Sequence, residues 1–353
     1  MSETRRSLGL PLRRNIFSLR TLTSFAVAIA FVVFLATAFE VDWSRTWDNV
    51  QSLNPRLYAA AILVYYTTFA FRGLRWKILA YNAGMGNEPV TGLPSVFQFG
   101  QLILVGWFVN GIAPLRLGDA YRAHALSERS GGGFSWSLGT IVAERFVDML
   151  TVLLLAVVAV LWYSVTRDIG AIAYVVMAAA GLAALMAALL IVMRGYGARV
   201  AQHLPGRLEG AYIRFHEGTL GSLRQRRRRA IFVLGLVGWL LEVARLYIVV
   251  EALDLSIAIP LAMLVALGHA ILSTVPSPGG VGAVEAGLIG LLVLELEKAD
   301  AVSVVLVDRT ITYVSVVVLG ALVLLVARIV RARSRPPVRD AAEGVQEEDA
   351  LPT

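Results

Sequence analysis

The chain has 353 residues, of which 57% are hydrophobic and 16% charged, and it contains no cysteine. Soluble domains carry about a quarter charged residues, so the composition excludes a soluble globular fold, and the lack of cysteine excludes disulfides, thiolate metal sites and a cysteine nucleophile. The formal net charge of +7 comes from arginines clustered beside apolar runs, a pattern typical of cytoplasmic membrane loops, and it does not indicate a nucleic-acid partner.

Six apolar stretches are long enough to cross a hydrocarbon core about 30 Å thick, and we predict an all-α polytopic integral membrane protein. The stretches lie at residues 21–40, 57–79, 137–163, 170–193, 230–251 and 301–328. The first follows a basic N-terminus, residues 1–20, and the triplet Ala36-Thr37-Ala38 resembles a signal-peptidase site. Because the apolar run exceeds that of a signal peptide, we expect an uncleaved first helix.

Two further apolar segments, residues 95–115 and 257–296, contain proline and glycine breaks that interrupt a helix at membrane depth. The Arg-rich connection 194–229 should be cytoplasmic, and so should both termini, in the plasma (inner) membrane. Counted from these fixed points, the first segment enters and leaves from the cytoplasm and the second from outside. Full crossing by residues 95–113, which their number would permit, is the alternative.

The resulting fold is about six full spans plus two re-entrant broken-helix hairpins in an inverted repeat. The repeat units are residues 57–163 and 230–328, inside a membrane domain of residues 21–330. Residues 331–353 are rich in proline, alanine and acidic side chains and lack a hydrophobic pattern, so we predict a disordered cytoplasmic tail.

The two broken segments share one spacing. Each has a proline and, four residues later, a glycine. An acidic residue lies 26 residues after that glycine, and an arginine follows it directly. One offset of 164 residues relates the two copies. Paired breaks at corresponding positions indicate a transport site near the bilayer midplane. The copies are Pro114, Gly118 and Glu144-Arg145, and Pro278, Gly282 and Asp308-Arg309.

Charged residues inside a bilayer cost about 2.5–3.5 kcal/mol each to insert, which makes them functional candidates. A broken helix would present free N–H groups to a phosphate, and nearby arginines would add bidentate contacts. The alternative is a purely structural hairpin whose arginines pair with acidic neighbours. The candidate substrate-binding residues are Asn110, Pro114, Arg116, Gly118, Asp119, Arg122, Glu144, Arg145, Asp148, Pro276, Pro278, Gly279, Gly280, Gly282, Glu285, Asp308 and Arg309.

Four other charged residues lie in predicted helices. Glu242 and Arg245, at positions i and i+3, are expected to neutralise each other. Arg72 and Arg75 are expected to anchor their helix at the membrane interface.

Two remaining residues have open roles. Glu285 either caps a helix N-terminus or binds a coupling ion or proton, and His269 is expected to be a hydrogen-bonded core histidine. The histidines lack the spacing of a zinc helix, and no phosphate-binding or nucleophile-elbow motif lies between a strand and a helix. We therefore expect no metal, no other cofactor and no enzymatic activity.

The stretches Asn110–Arg122, Glu144–Asp148, Pro276–Glu285 and Arg309–Gly320 resemble the flippase-like membrane family named after the lysylphosphatidylglycerol synthase transmembrane region. The resemblance covers about residues 20–330. It implies a lipid-handling membrane domain, which in multiple peptide resistance factors translocates aminoacylated phosphatidylglycerol. Those factors also carry a soluble aminoacyltransferase domain, which has no counterpart here, so we expect a stand-alone member that does not synthesise the lipid.

Three functions remain open. The preferred one is a translocator that binds the anionic headgroup of a membrane phospholipid or polyprenyl-linked lipid at a midplane site between the hairpins. The second is a non-transporting protein that presents a lipid to a partner such as a membrane glycosyltransferase or another lipid-modifying enzyme. The third is an intramembrane transferase with Glu144 or Asp308 as general base.

Overall fold

The computed structural model describes residues 42–84, 92–164, 173–224 and 227–333, and these residues contain helices and no strand. The predicted first span and the predicted tail beyond residue 333 lie outside the described residues. Short non-α segments are the 3-10 turns Pro114–Arg116 and Pro278–Gly280 and the π-helical Thr310–Val314. The α-helices are α1 (Trp43–Gln51), α2 (Pro55–Gly84), α3 (Val96–Ile112), α4 (Leu117–Ser130), α5 (Phe134–Ser164), α6 (Ala173–Gln202), α7 (Gly206–Ser222), α8 (Arg228–Ala252), α9 (Ile259–Leu272), α10 (Ala283–Leu292), α11 (Lys298–Arg309) and α12 (Ser315–Arg333).

Five stretches of helix are long and apolar enough to cross a membrane: α2, α5, Val176–Gly197 of α6, α8, and Lys298–Ala327 across α11 and α12. They coincide with five of the six predicted spans. The prediction of an all-α polytopic membrane protein is therefore confirmed.

Both broken segments form a pair of short helices joined by a proline-initiated turn. In the first turn Leu115 and Arg116 have positive φ angles of 60° and 53°; 164 residues later Gly279 and Gly280 have 62° and 70°. Helices α3 and α9 have 17 and 14 residues, roughly 25 and 21 Å at 1.5 Å per residue. Both are shorter than a hydrocarbon core of about 30 Å, as a re-entrant helix requires.

The first hairpin closes by backbone approach. A Cβ on Gly118 would overlap the carbonyl oxygen of Gly106, and the Gly118 N–H donates to Asn110 Oδ1 at 2.7 Å. Only a residue without a side chain allows α4 to pass this close to α3.

The two helix-hairpin-helix series, residues 57–163 and 230–328, pack against each other so that each hairpin contacts the last helix of the other series. Helix α2 contacts its counterpart α8, while α3 contacts α12 and α9 contacts α5, and the two 3-10 turns contact each other. Buried apolar side chains from both series form one core. The contact pattern is that of two related units; their opposite orientation in a membrane stays a prediction.

The Arg-rich connection 194–229 is largely helical. Helix α6 extends to Gln202 and α7 follows, packed against α5 and α2. The sequence did not predict α7 because its residues are nearly neutral in hydropathy on average. The helix lies against the long helices and is not among the five candidate membrane spans.

Helix α1 was not predicted either. Its Arg45 forms ion pairs with Glu297 and with Asp300, the latter at 2.9 Å, and Asn49 donates to Asp300 at 2.8 Å. These contacts attach α1 to the start of α11, and its N-terminus is capped by Asp42.

Candidate functional site

A cavity of about 180 Å³ lies where the two hairpin turns meet. This is many times the volume that one enclosed water needs, so the cavity has room for a small polar headgroup. Both hairpins and the helices α2, α5, α8 and α12 contribute to it. The lining residues are Tyr65, Arg72, Trp107, Asn110, Gly111, Arg116, Arg145, Asp148, Met149, Trp239, Glu242, Arg245, Ala266, His269, Ala270, Ser273, Thr274, Ser277, Gly279, Gly280, Arg309, Thr312, Tyr313, Val316 and Val317.

The lining carries more positive than negative side chains. Five arginines face two carboxylates, and no lysine is among the lining residues that the structure describes. Arginine presents a planar fork of donors that matches phosphate and carboxylate oxygens. The cavity is therefore suited to an anion.

The predicted site residues divide into a lining group and a supporting group. Pro114 begins the first turn and Pro276 is exposed before the second. The lining group is Asn110, Arg116, Arg145, Asp148, Gly279, Gly280 and Arg309. The supporting group, which lies outside the lining, is Gly118, Asp119, Arg122, Glu144, Pro278, Gly282, Glu285 and Asp308.

Asp119 holds the arginines of the first hairpin. Its carboxylate lies 2.9 Å from Arg145, 3.8 Å from Arg122 and 3.9 Å from Arg116. Arg122 also pairs with Glu144 at 2.5 Å, and its guanidinium lies 4.2 Å from the centroid of the Trp76 ring. Arg122 is thus buried and links the first hairpin to α5, whereas Arg145 and Arg116 line the cavity.

A second set of ion pairs joins α2 to α5. Arg75 lies 2.7 Å from Asp148 and 3.5 Å from Glu144. Asp148 also accepts a hydrogen bond of 3.2 Å from the Trp239 indole of α8. Asp148 is thereby fixed at the cavity wall from two sides.

The corresponding set in the second series joins α8 to α11. Arg245 pairs with Asp308 and lies 3.3 Å from Glu242, which in turn accepts from Arg72 at 3.2 Å. Glu144 and Asp308, which differ by the repeat offset, each pair with an arginine of the long helix that opens their unit, Arg75 of α2 and Arg245 of α8, although the two arginines are not themselves related by that offset.

Arg309 ties the second turn to α11. Its side chain lies 2.7 Å from Glu285 and donates to the carbonyl oxygen of Gly279 at 3.1 Å. The guanidinium also lies 4.7 Å from the ring centroid of Tyr313. Arg309 therefore positions the second turn and lines the cavity at once.

The predicted interface role of Arg72 and Arg75 is wrong. Their exposed fractions are 7% and 1%, because their acidic partners lie in α5 and α8 and draw both side chains into the protein. The expected local pair of Glu242 and Arg245 does form, but it is one part of the larger network.

The sequence predicts free N–H groups at the two helix breaks that could bind a phosphate, but two of these groups are already hydrogen-bonded within the protein. The Gly118 N–H donates to Asn110, and the Gly282 N–H donates to Glu285 at 2.5 Å. Glu285 thus takes the capping role that was one of its two interpretations. These two N–H groups therefore already have acceptors within the protein.

Sequence reasoning missed the aromatic part of the site. The Arg72 guanidinium lies 5.2 and 5.1 Å from the ring centroids of Trp107 and Trp239, a cation–π arrangement. His269 lines the cavity, with Nδ1 3.7 Å from the Asp308 carboxylate. Tryptophans inside apolar stretches were the available signal, but interface placement explained them equally well.

Comparisons with known proteins agree with the fold. The family model described as the lysylphosphatidylglycerol synthase TM region matches residues 22–320. A UPF0104 membrane protein of Methanothermobacter thermautotrophicus is 28% identical over 324 residues, covering 84% of this chain and 90% of that protein. One of Methanocaldococcus jannaschii is 27% identical over 222 residues, 61% of this chain and 92% of that protein.

These coverages make the UPF0104 relatives stand-alone membrane proteins, without a separate aminoacyltransferase domain. A further relative is the glycosyltransferase AglD of Haloferax volcanii, 27% identical over 159 residues. That match covers 44% of this chain and 24% of that protein.

Proposed function

The chain belongs to the lysylphosphatidylglycerol synthase transmembrane family, and from this membership and its cavity we propose that it translocates a lipid or lipid-linked substrate between leaflets of the plasma membrane. The observation that carries the proposal is the meeting of both broken hairpins at one cavity lined by five arginines and two carboxylates. Irregular backbone at membrane depth is tolerated where it lines such a polar cavity.

In this proposal the two hairpins enter from opposite faces of the membrane. The exchanged packing of α3 on α12 and α9 on α5 gives each hairpin contact with the closing helix of the other unit. Rocking one unit against the other would open the same cavity to either side in turn. No chemical step is required of the protein.

Arg145 and Arg309 are the proposed phosphate ligands. Each is positioned by a carboxylate, Asp119 or Glu285, that lies outside the cavity lining. Arg145 Nε is buried without a hydrogen-bond partner in the described structure. A buried donor without an acceptor is costly, and a phosphate oxygen would supply one.

The transferase alternative has less support. Glu144 and Asp308, its candidate bases, are both buried, paired with arginines and outside the cavity lining. A general base must come within hydrogen-bond reach of a substrate proton.

The second candidate function is lipid presentation to a glycosyltransferase. The observation that favours it is the matching segment within the glycosyltransferase AglD. In such a role the same cavity would hold a lipid phosphate without moving it across the membrane. The two functions therefore differ in transport and not in binding.

The test is translocation in proteoliposomes. Purified protein is reconstituted with fluorescent phosphatidylglycerol or phosphatidylcholine in one leaflet, and transfer is followed by quenching from outside. We expect faster transfer of the anionic lipid than in protein-free vesicles. Arg145→Ala and Arg309→Ala should each slow this transfer at least tenfold, because each removes a phosphate ligand worth about 1.5–3 kcal/mol.

The matched control is Arg207→Ala, which removes one positive charge from the exposed start of α7, and it should transfer lipid at the wild-type rate. Equal reconstitution and thermal stability are checked for each variant. Transfer that is unchanged in both site variants would refute the arginine roles. Lipid binding without transfer, across a broad lipid panel, would favour the presentation function.

A further inference from the structure

The two hairpin turns share positive φ angles at two corresponding positions but carry different side chains there. Leu115 and Arg116 adopt the left-handed conformation that Gly279 and Gly280 adopt at the corresponding positions. A left-handed backbone is strained for leucine and arginine and unstrained for glycine. Strain of this kind clusters at functional sites, and of the two residues Arg116 is the charged one that lines the cavity.

The ion-pair network around the cavity leaves one positive charge over. Arg72 of α2 joins Arg245 and Arg309 of the second series, and these three arginines balance Glu242, Asp308 and Glu285. Among the other ion-paired residues of the first series, the acidic residues number one fewer than the arginines. Those acidic residues are Asp119, Glu144 and Asp148, and the arginines are Arg75, Arg116, Arg122 and Arg145.

Arg116 is the arginine to which the surplus belongs. Its distance of 3.9 Å to Asp119 is longer than that of any other arginine here to its nearest carboxylate, and its side chain is 30% exposed. It reaches across to the second hairpin, where it donates to the Ser273 carbonyl oxygen at 3.4 Å. It also lines the cavity, so the surplus charge faces the ligand.

We propose that the cavity takes the monoanionic phosphodiester of a membrane lipid, with Arg116 as the ligand that supplies the balancing charge. The inference rests on the proposed function and narrows its substrate class. A phosphodiester has a single ionised oxygen and carries one negative charge, which the surplus matches. A terminal phosphomonoester carries about 1.5 to 2 negative charges at neutral pH, and its second charge would be buried without a partner, which is costly.

The test is equilibrium binding by native mass spectrometry at pH 8.5, on delipidated protein in detergent. The ligands share acyl chains: phosphatidylglycerol (a diester), phosphatidic acid (a monoester) and phosphatidylcholine (a diester with no net charge). Deacylated glycerophosphoglycerol distinguishes a soluble diester from a lipid. We expect phosphatidylglycerol to bind at least tenfold more tightly than each of the other three.

The informative variant is Arg116→Gly, which places in the first turn the residue found at position 280. We expect its thermal midpoint to be no lower than wild type, because glycine relieves the strained backbone. Its affinity for phosphatidylglycerol should fall at least tenfold, and its preference over phosphatidylcholine should disappear. Leu115→Gly is the matched control: it relieves the same strain at an exposed side chain outside the cavity and should bind as wild type does.

Phosphatidic acid binding as tightly as phosphatidylglycerol, or Arg116→Gly binding as tightly as wild type, would overturn the inference while leaving an anionic-lipid translocator intact. Equal binding of glycerophosphoglycerol would support the phosphodiester site but assign it to a soluble ligand, against the proposed function. No preference of the wild type for either anionic lipid over phosphatidylcholine would overturn both.

Discussion

Replacing Asp308 with alanine is expected to destabilise the protein by roughly 3–5 kcal/mol, the usual cost of breaking a buried ion pair. Asp308 is 0% exposed and pairs with Arg245. Without Asp308, Arg245 retains only Glu242, which already pairs with Arg72. The measurement is the thermal midpoint in detergent, with the yield of monodisperse protein as a second readout.

The double variant Arg245→Met with Asp308→Leu should recover most of the loss. Apolar side chains of similar volume often replace a buried ion pair at little cost, and Glu242 keeps Arg72 as its partner. Asp48→Ala, which removes an exposed carboxylate from α1, controls for the loss of one negative charge. If Asp308→Ala is as stable as wild type, the Arg245–Asp308 ion pair does not hold α8 to α11.

The second large effect is expected at Gly118. A Cβ there would overlap the Gly106 carbonyl oxygen and crowd the Asn110 side chain. Overpacking typically costs 1–3 kcal/mol; since the clash is with backbone on a facing helix, we expect about 3 kcal/mol or more for Gly118→Ala. Thermal midpoint and lipid transfer should fall together, because separating α4 from α3 displaces Arg116 and Asp119.

The control for this substitution is Gly238→Ala in α8. An added Cβ at position 238 meets no atom within 4 Å, and alanine favours a helix over glycine by about 1 kcal/mol. Gly238→Ala should therefore be as stable as wild type or more so. Comparable stability of the two alanine variants would contradict the close approach of the hairpin helices.

The broken turns could be predicted from the sequence because proline and glycine act locally. Pro114 and Pro278 are each followed by two residues with positive φ angles, and the offset of 164 that the sequence shows also relates these residues. The positions of the long helices could be predicted from the length of each apolar stretch, which is also a local property of the sequence. The second arm of the first hairpin, α4, did not, because its mixed polar sequence lacks the apolar run on which hydropathy depends.

The ion-pair network could not be predicted, since its members are far apart in the chain. Arg75 meets Glu144 across 69 residues and Arg72 meets Glu242 across 170. From local sequence, two arginines near a helix end indicate an interface anchor equally well. The packing of α2 against α5 and α8 is what buries both arginines. It also places Arg72, which was not a predicted site residue, in the cavity lining.

The sidedness of the two hairpins is the most direct test of the proposed transport fold. The chain has no cysteine, so Glu128→Cys near the end of α4 and Lys298→Cys at the start of α11, both at exposed positions, each introduce a single reactive thiol. Each variant is labelled with a membrane-impermeant maleimide in intact cells and in inverted vesicles. The inverted repeat predicts labelling from opposite faces, position 128 from the cytoplasm and position 298 from outside. Labelling of both positions from the same face would contradict the inverted repeat and, with it, access to one cavity from both sides.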